Sequence, residues 1–147
     1  MAAYWDTSCV LKLYCRENDS RACLVRAGAM AEPIVSSVLT VSEMAFAFHQ
    51  KEMRGEIEPG SAPILFETFD ADVQRGRFTL LPYGKDVEAL ARRIATLCYA
   101  STPVVPLRTL DGLHLASAQL SACREILTTD SRMRSAALVL GLRAPDL

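Results

Sequence analysis

Ala3-Tyr4-Trp5-Asp6 is a short apolar run that stops at an acid, and the same pattern returns in Glu125-Ile126-Leu127-Thr128-Thr129-Asp130. Each reads as a buried strand, Ala3–Trp5 and Glu125–Thr129, that the acid ends before a turn into a helix. Thr7 or Ser8 is placed to cap a helix through Arg16, and Ser131 one that Gly141 terminates. Working outward, Ser20 opens a helix to about Met30, and Pro33 introduces the strand Ile34-Val35-Ser36-Ser37. Helical patterns follow over Thr40–Arg54, stopped by Gly55, and Pro59–Arg75, ended by Gly76. Phe78-Thr79-Leu80-Leu81 is strand-like, while Asp86–Tyr99 and Thr109–Ala122 read as helices. Short apolar strands alternating with helices predict an α/β protein, a three-layer α/β/α sandwich around a mostly parallel sheet. Ligands of such sheets sit beyond the carboxyl ends of the strands, where Asp6 and Asp130 fall.

The 147 residues suit a single domain over 1–147. Half are apolar and about a fifth are charged, which excludes a disordered or low-complexity chain. The longest uncharged stretch, Ile94 to Leu107, has 14 residues and two prolines, short of the about 20 apolar residues of a membrane span. The opening Met-Ala-Ala-Tyr-Trp-Asp lacks the basic and apolar segments of a secretory signal. Five cysteines (Cys9, Cys15, Cys23, Cys98, Cys123) without Cys-x-x-Cys spacing, and only two histidines, His49 and His114, fit neither a disulfide framework nor a thiolate zinc site. Free buried thiols in a cytoplasmic protein are expected. Net charge is −1, which excludes a bulk polycation, although residues 1–75 carry 7 basic and 11 acidic groups against 9 and 6 in residues 76–147.

Most carboxylates, such as Glu52, Glu56, Asp70 and Asp86, lie among polar neighbours or near helix starts. Four do not. Glu43 has Leu39, Thr40, Phe46 and Ala47 as its helical neighbours, so ionisation there is costly unless the acid is paired, protonated or metal-bound. Asp111 opens the nearly apolar helix Leu110-Asp111-Gly112-Leu113-His114-Leu115. Asp6 and Asp130 end buried strands, where capping is the competing role. If the four converge, an oxygen-only site favours a hard cation, Mg²⁺ with Mn²⁺ as the alternative. With the four set aside, 13 acids face 16 bases, a surface suited to a phosphate-bearing polymer.

These segments resemble the PIN-domain nucleases, specifically the VapC-type toxins of bacterial toxin–antitoxin pairs. The matching stretches are Tyr4–Tyr14 (YWDTSCVLKLY), Ser36–Glu43 (SSVLTVSE), Leu107–Ala118 (LRTLDGLHLASA) and Leu127–Met133 (LTTDSRM), in the family's order along essentially the whole chain. The resemblance implies a metal-dependent endoribonuclease with Asp6, Glu43, Asp111 and Asp130 as its acids. It puts the metal mainly on Asp6 and Asp111, with Glu43 and Asp130 completing the site directly or through water. Thr7, Ser8 and Thr128 fall where the family places hydroxyls beside the acids, though each could equally serve as a cap. Gly112 stands where Ala is common, and Ser131 where some members carry a further acid. Arg108 and Arg132 flank Asp111 and Asp130 as candidate phosphate contacts. The resemblance also implies an RNA substrate, a cognate antitoxin and a homodimer, for which Leu11, Tyr14, Phe46 and Phe48 could serve unless they pack the core. Two alternatives stay open, a catalytically silent PIN-fold binding module and a Mg-dependent phosphotransfer domain. Against the second, position 8 is Ser where Asp-x-Asp-x-Thr requires Asp, and the last lysine is Lys85.

Overall fold

The computed structural model describes residues 2–147. Four strands, β1 (Ala3–Trp5), β2 (Ile34–Ser37), β3 (Phe78–Leu81) and β4 (Glu125–Leu127), form one sheet in the order β3-β2-β1-β4. Every neighbouring pair is parallel, so the sheet is wholly rather than mostly parallel. Among the described residues seven helices flank the sheet: α1 (Thr7–Leu11), α2 (Ser20–Gly28), α3 (Leu39–Met53), α4 (Ser61–Gln74), α5 (Lys85–Ala100), α6 (Thr109–Leu120) and, after β4, α7 (Ser131–Val139).

Strand alternation explains the layers. Ala3 and Trp5 of β1 point to one face with Ile34, Phe78 and Leu127, where Val10, Cys23, Met44, Phe48 and Phe69 of α1–α4 cover them. Tyr4 and Ile126 point to the other, under Ile94, Leu115, Met133 and Ala137 of α5–α7. Each face is therefore dry, which a parallel sheet requires. The chain winds outward from β1 through β2 to β3, then returns to place β4 on the opposite side of β1. That reversal makes a crevice beyond the ends of β1 and β4, the general ligand position in such sheets. Residues past α7 guard the outer edge of β4, Arg143 N–H donating to the Arg124 carbonyl and Ile126 N–H to that of Arg143, both at 2.9 Å.

β1, β2 and β3 have the bounds read from sequence, and the remaining elements differ mainly at their ends. The first helix stops at Leu11 instead of Arg16 because the chain tightens into turns there, with Leu13 N–H on Val10 O and Tyr14 N–H on Leu11 O. The turns bury Lys12, whose ammonium meets Glu17 Oε2 at 2.9 Å and the Asn18 carbonyl at 2.6 Å, with Lys51 paired to the other Glu17 oxygen. The cap of α1 is Asp6, not Thr7 or Ser8, and that of α7 is Asp130, not Ser131. Ser20 lies inside α2, with Asp19 before it at φ 67°. Gly76 and Gly141 take φ of 77° and 76° just beyond α4 and α7, left-handed positions that favour glycine. All five cysteines are buried free thiols. No helix of the described residues is long and apolar enough to cross a membrane.

Candidate active site

Asp6 is tied into the crevice from both sides. Its N–H donates to the Leu127 carbonyl at 2.9 Å, extending the β1–β4 pairing by one residue. Oδ1 accepts from Thr7 N–H at 2.8 Å, while Oδ2 accepts the hydroxyls of Ser8 and Thr128, each at 2.9 Å. The Thr128 oxygen in turn accepts from Asp130 N–H at 3.1 Å, which couples the two strand ends. Thr7, Ser8 and Thr128 thus all touch the acids or the groups that hold them. Asp6 is only 6% exposed. Burial pushes its carboxyl pKa up, and the His114 charge with the two hydroxyls offsets only part of that rise.

Glu43 comes from α3, one helical turn beyond Thr40. Its Oε1 accepts from Thr7 Oγ1 at 3.0 Å and contacts His114 Nε2. Behind it runs a buried hydroxyl chain: Thr7 bonds Thr40 at 3.1 Å, Thr40 bonds Ser36 at 2.8 Å, and Ser36 donates to the Trp5 carbonyl at 2.7 Å. With Ser36 donating to Trp5 and Thr7 to Glu43, the single Thr40 proton serves either Thr7 or Ser36.

Asp111 sits in the first turn of α6 and is buried. Its Oδ2 accepts from Arg108 N–H at 3.3 Å and from Arg108 Nε at 3.1 Å. Arg108 Nη2 reaches Asp130 Oδ2 at 3.3 Å, so one guanidinium spans two of the acids. The other Asp130 oxygen caps α7 through Arg132 N–H and Met133 N–H. Capping and site placement therefore coexist at Asp6 and Asp130.

All four acids and Arg108 line one cleft of about 530 Å³, with Leu11, Leu39, Phe46 and Leu110 around them. Phe46 is 70% exposed at this cleft, whereas Phe48 is core, and Tyr14 stacks edge-on against Phe48 and Phe69. Arg132 is not part of the lining, and its Nε lies 4.0 Å from Asp130 Oδ1.

Sequence reasoning gave no role to His114 or Tyr4. His114 follows Asp111 by three residues, so both occupy one face of α6. The imidazole is 1% exposed, accepts or donates at Nδ1 with the Tyr4 hydroxyl at 2.7 Å, and has Asp6 Oδ1 3.9 Å from Nε2. Burial opposes its charged form, but the bond to Glu43 and the charges of Asp6, Glu43 and Asp111 prevail and raise its pKa. The signal available was that lone histidine one turn after an acid on an apolar helix.

Among the described residues no three His, Cys, Asp or Glu side chains close into a ready-made metal cage. The donor set nevertheless fits a hard cation that keeps most of its waters, since it is all oxygen, open to the cleft, and includes the buried Asp6 carboxylate. Glu43 Oε2 and Asp111 Oδ1 accept no hydrogen bond from the described residues and are available to it.

Residues 3–138 match the PIN domain. The chain is 33% identical over 143 residues to the ribonuclease VapC46 of Mycobacterium tuberculosis (strain ATCC 25618 / H37Rv), covering 96% of this chain and 94% of that protein. Two solved structures share the fold at 17% identity. One, described as "Structure of FitAB bound to IR36 DNA fragment", superposes with a TM-score of 0.72 over 97% of this chain and 93% of its own. The other, "Crystal Structure of FitAcB from Neisseria gonorrhoeae", gives 0.69 over 98% and 96%. A family match across most of the sequence and a full-length relative at that identity show that this chain belongs to the PIN-domain family.

Proposed function

We propose that this protein is a Mg²⁺- or Mn²⁺-dependent endoribonuclease, the toxin of a toxin–antitoxin pair. One observation carries the reading: acids separated by up to 124 positions, Asp6, Glu43, Asp111 and Asp130, line a single cleft. A Mg²⁺ or Mn²⁺ ion held there would provide water activation and charge neutralisation at the scissile phosphate. Asp6 and Asp111 would be its main ligands, with Glu43 and Asp130 completing the set directly or through water. Ser8 and Thr128 keep both lone-pair faces of Asp6 Oδ2 oriented, so the carboxylate cannot rotate away. In-line attack of water on phosphorus expels the ribose 3′-oxygen. Arg108, 61% exposed in its side chain, is free to leave Asp111 and Asp130 for a phosphate of the RNA. Arg132, with its Nε 4.0 Å from Asp130 Oδ1, would meet a neighbouring phosphate outside the cleft.

An acidic floor with an apolar rim of Leu11, Leu39, Phe46 and Leu110 suits a peptide carrying a basic side chain among aliphatic ones, the chemistry of a blocking antitoxin tail. The relative named as a VapC ribonuclease supports the same assignment. Exposed apolar residues such as Phe46, Leu138 and Val139 provide surface for a homodimer, and the five free thiols suit a cytoplasmic setting.

The test is cleavage of RNA by the purified protein with Mg²⁺ or Mn²⁺. We expect fragments that EDTA prevents, and none from folded Asp6→Asn or Asp111→Asn. Cleavage by both variants would overturn the assignment, and a metal-loaded wild type that binds RNA without cutting it would identify a silent binding module.

A further inference from the structure

We infer that His114, held by Tyr4, is the positioning residue that fixes Glu43 in the acidic cleft. The inference rests on the nuclease reading for its meaning but on the geometry of three elements for its argument. Tyr4 lies on β1 two residues before Asp6, His114 lies on α6 three residues after Asp111, and Glu43 lies on α3. The imidazole bridges them. Its Nδ1 meets the Tyr4 hydroxyl at 2.7 Å, and its Nε2 meets Glu43 Oε1 with Thr7 Oγ1 at 3.5 Å. The Tyr4 ring packs edge-on to the imidazole, centroids 5.9 Å apart, which holds the ring plane as well as its edge.

Burial keeps the Tyr4 phenol protonated. When the imidazole is neutral, Tyr4 donates to Nδ1 and the remaining proton sits on Nε2. When it is charged, both nitrogens carry protons. In either state Nε2 donates to Glu43, so the strut does not depend on which form is present. This matters because Glu43 is otherwise a long side chain, 26% exposed, on a helix surface that borders solvent. Two donors, Nε2 and Thr7 Oγ1, occupy Oε1 and leave Oε2 as the oxygen offered to the cleft. The same α6 helix thereby sets both Asp111 and, through His114, Glu43. Groups that orient a metal-binding carboxylate without touching the metal typically carry a 10–100-fold effect on affinity or activity.

The amide nitrogen of glutamine can stand where Nε2 stands, whereas asparagine reaches only the Nδ1 position, so His114→Gln and His114→Asn separate the two ends of the strut. The readouts are Mn²⁺ affinity of the RNA-free protein by titration, and kcat and KM for RNA. The expectation for His114→Asn is about tenfold weaker Mn²⁺ binding and about a tenfold to hundredfold lower kcat with KM little changed. His114→Gln should recover part of both, the shortfall reflecting the lost Tyr4 contact, at thermal midpoints alike for the two variants. In a Glu43→Ala background, His114→Asn should add nothing to the Mn²⁺ defect. The inference is overturned if the two variants are equally impaired, if either defect follows loss of thermal stability, or if the effect persists without Glu43. A wild type that cuts no RNA would defeat the nuclease reading alone, because the Mn²⁺ titrations still report on the strut.

Discussion

Asp111 Oδ2 receives both the backbone N–H and the guanidinium Nε of Arg108, three residues earlier at the start of α6. The same guanidinium reaches Asp130, so a protein cation stands between two carboxylates assigned to the metal site. Arg108 and a divalent ion then compete for one patch of negative charge. Arg108→Ala should tighten Mn²⁺ binding of the RNA-free protein by about two- to fivefold, a modest factor because exposed pairs are individually weak. Its KM for RNA should rise as a phosphate contact is lost. Weaker Mn²⁺ binding would show instead that Arg108 organises the acids.

Among the described residues no Lys or Arg forms an ion pair with the buried Asp6, and burial pushes its carboxyl up by more than the nearby His114 charge offsets. A buried charge that is only partly compensated lowers stability, a common cost at functional sites. Asp6→Asn should therefore raise the thermal midpoint of the metal-free protein by about 2–4 °C while removing activity. Asparagine can keep the Thr7 N–H bond, and the Ser8 and Thr128 hydroxyls can reverse to accept from its amide. Adding Mn²⁺ should raise the midpoint of the wild type and leave the variant unchanged. A variant less stable than wild type would mean that those hydrogen bonds outweigh the charge.

Glu17 joins the buried Lys12 and Lys51, residues 39 apart, beneath the turn that ends α1. Burial alone would raise its pKa, but hydrogen bonds from Lys51 and Lys12 prevail and hold it below the usual glutamate value. A lowered folded-state pKa gives stability that is present above the unfolded value of about 4.3 and is lost as pH falls through the folded one. Glu17→Gln should cost about 1–2 kcal/mol at pH 7, since Lys12 and Lys51 lose the shared charge while Lys12 keeps the Asn18 carbonyl and Lys51 keeps Glu56 at 3.7 Å. Denaturant curves should show the wild-type advantage shrinking below about pH 4. A constant gap across pH would assign the loss to packing.

The five thiols make a simpler prediction. Cys9, Cys15, Cys23, Cys98 and Cys123 are all buried, and desolvation raises the pKa of the first four. A thiol reagent should react with none of them rapidly in the folded protein and with all five after denaturation. Fast reaction of one thiol under native conditions would locate a local opening.

The layers and the acids were legible because each rests on a local contradiction or repeat. A run such as Ala3-Tyr4-Trp5 stopping at Asp6 marks a strand end, and Glu43 among Leu39, Phe46 and Ala47 marks an acid that needs a reason. Caps were less legible, since Asp6, Thr7 and Ser8 are all competent and only the turn geometry decides that Asp6 accepts from Thr7 N–H. The short α1 could not be read because its end is set by burial of Lys12, whose partners Glu17 and Asn18 lie beyond a turn. His114 was hidden for a related reason. Between Leu113 and Leu115 it resembles core, and its partners Tyr4 and Glu43 are 110 and 71 positions away.

The most direct measurement is anomalous diffraction from crystals of the protein soaked in Mn²⁺. The account predicts a peak within bonding distance of the Asp6 and Asp111 carboxylates, with Glu43 and Asp130 at or just beyond that range, and no such peak in Asp6→Asn. A wild-type crystal at saturating Mn²⁺ with that cleft bare, or with the ion bound only at other carboxylates, would contradict it.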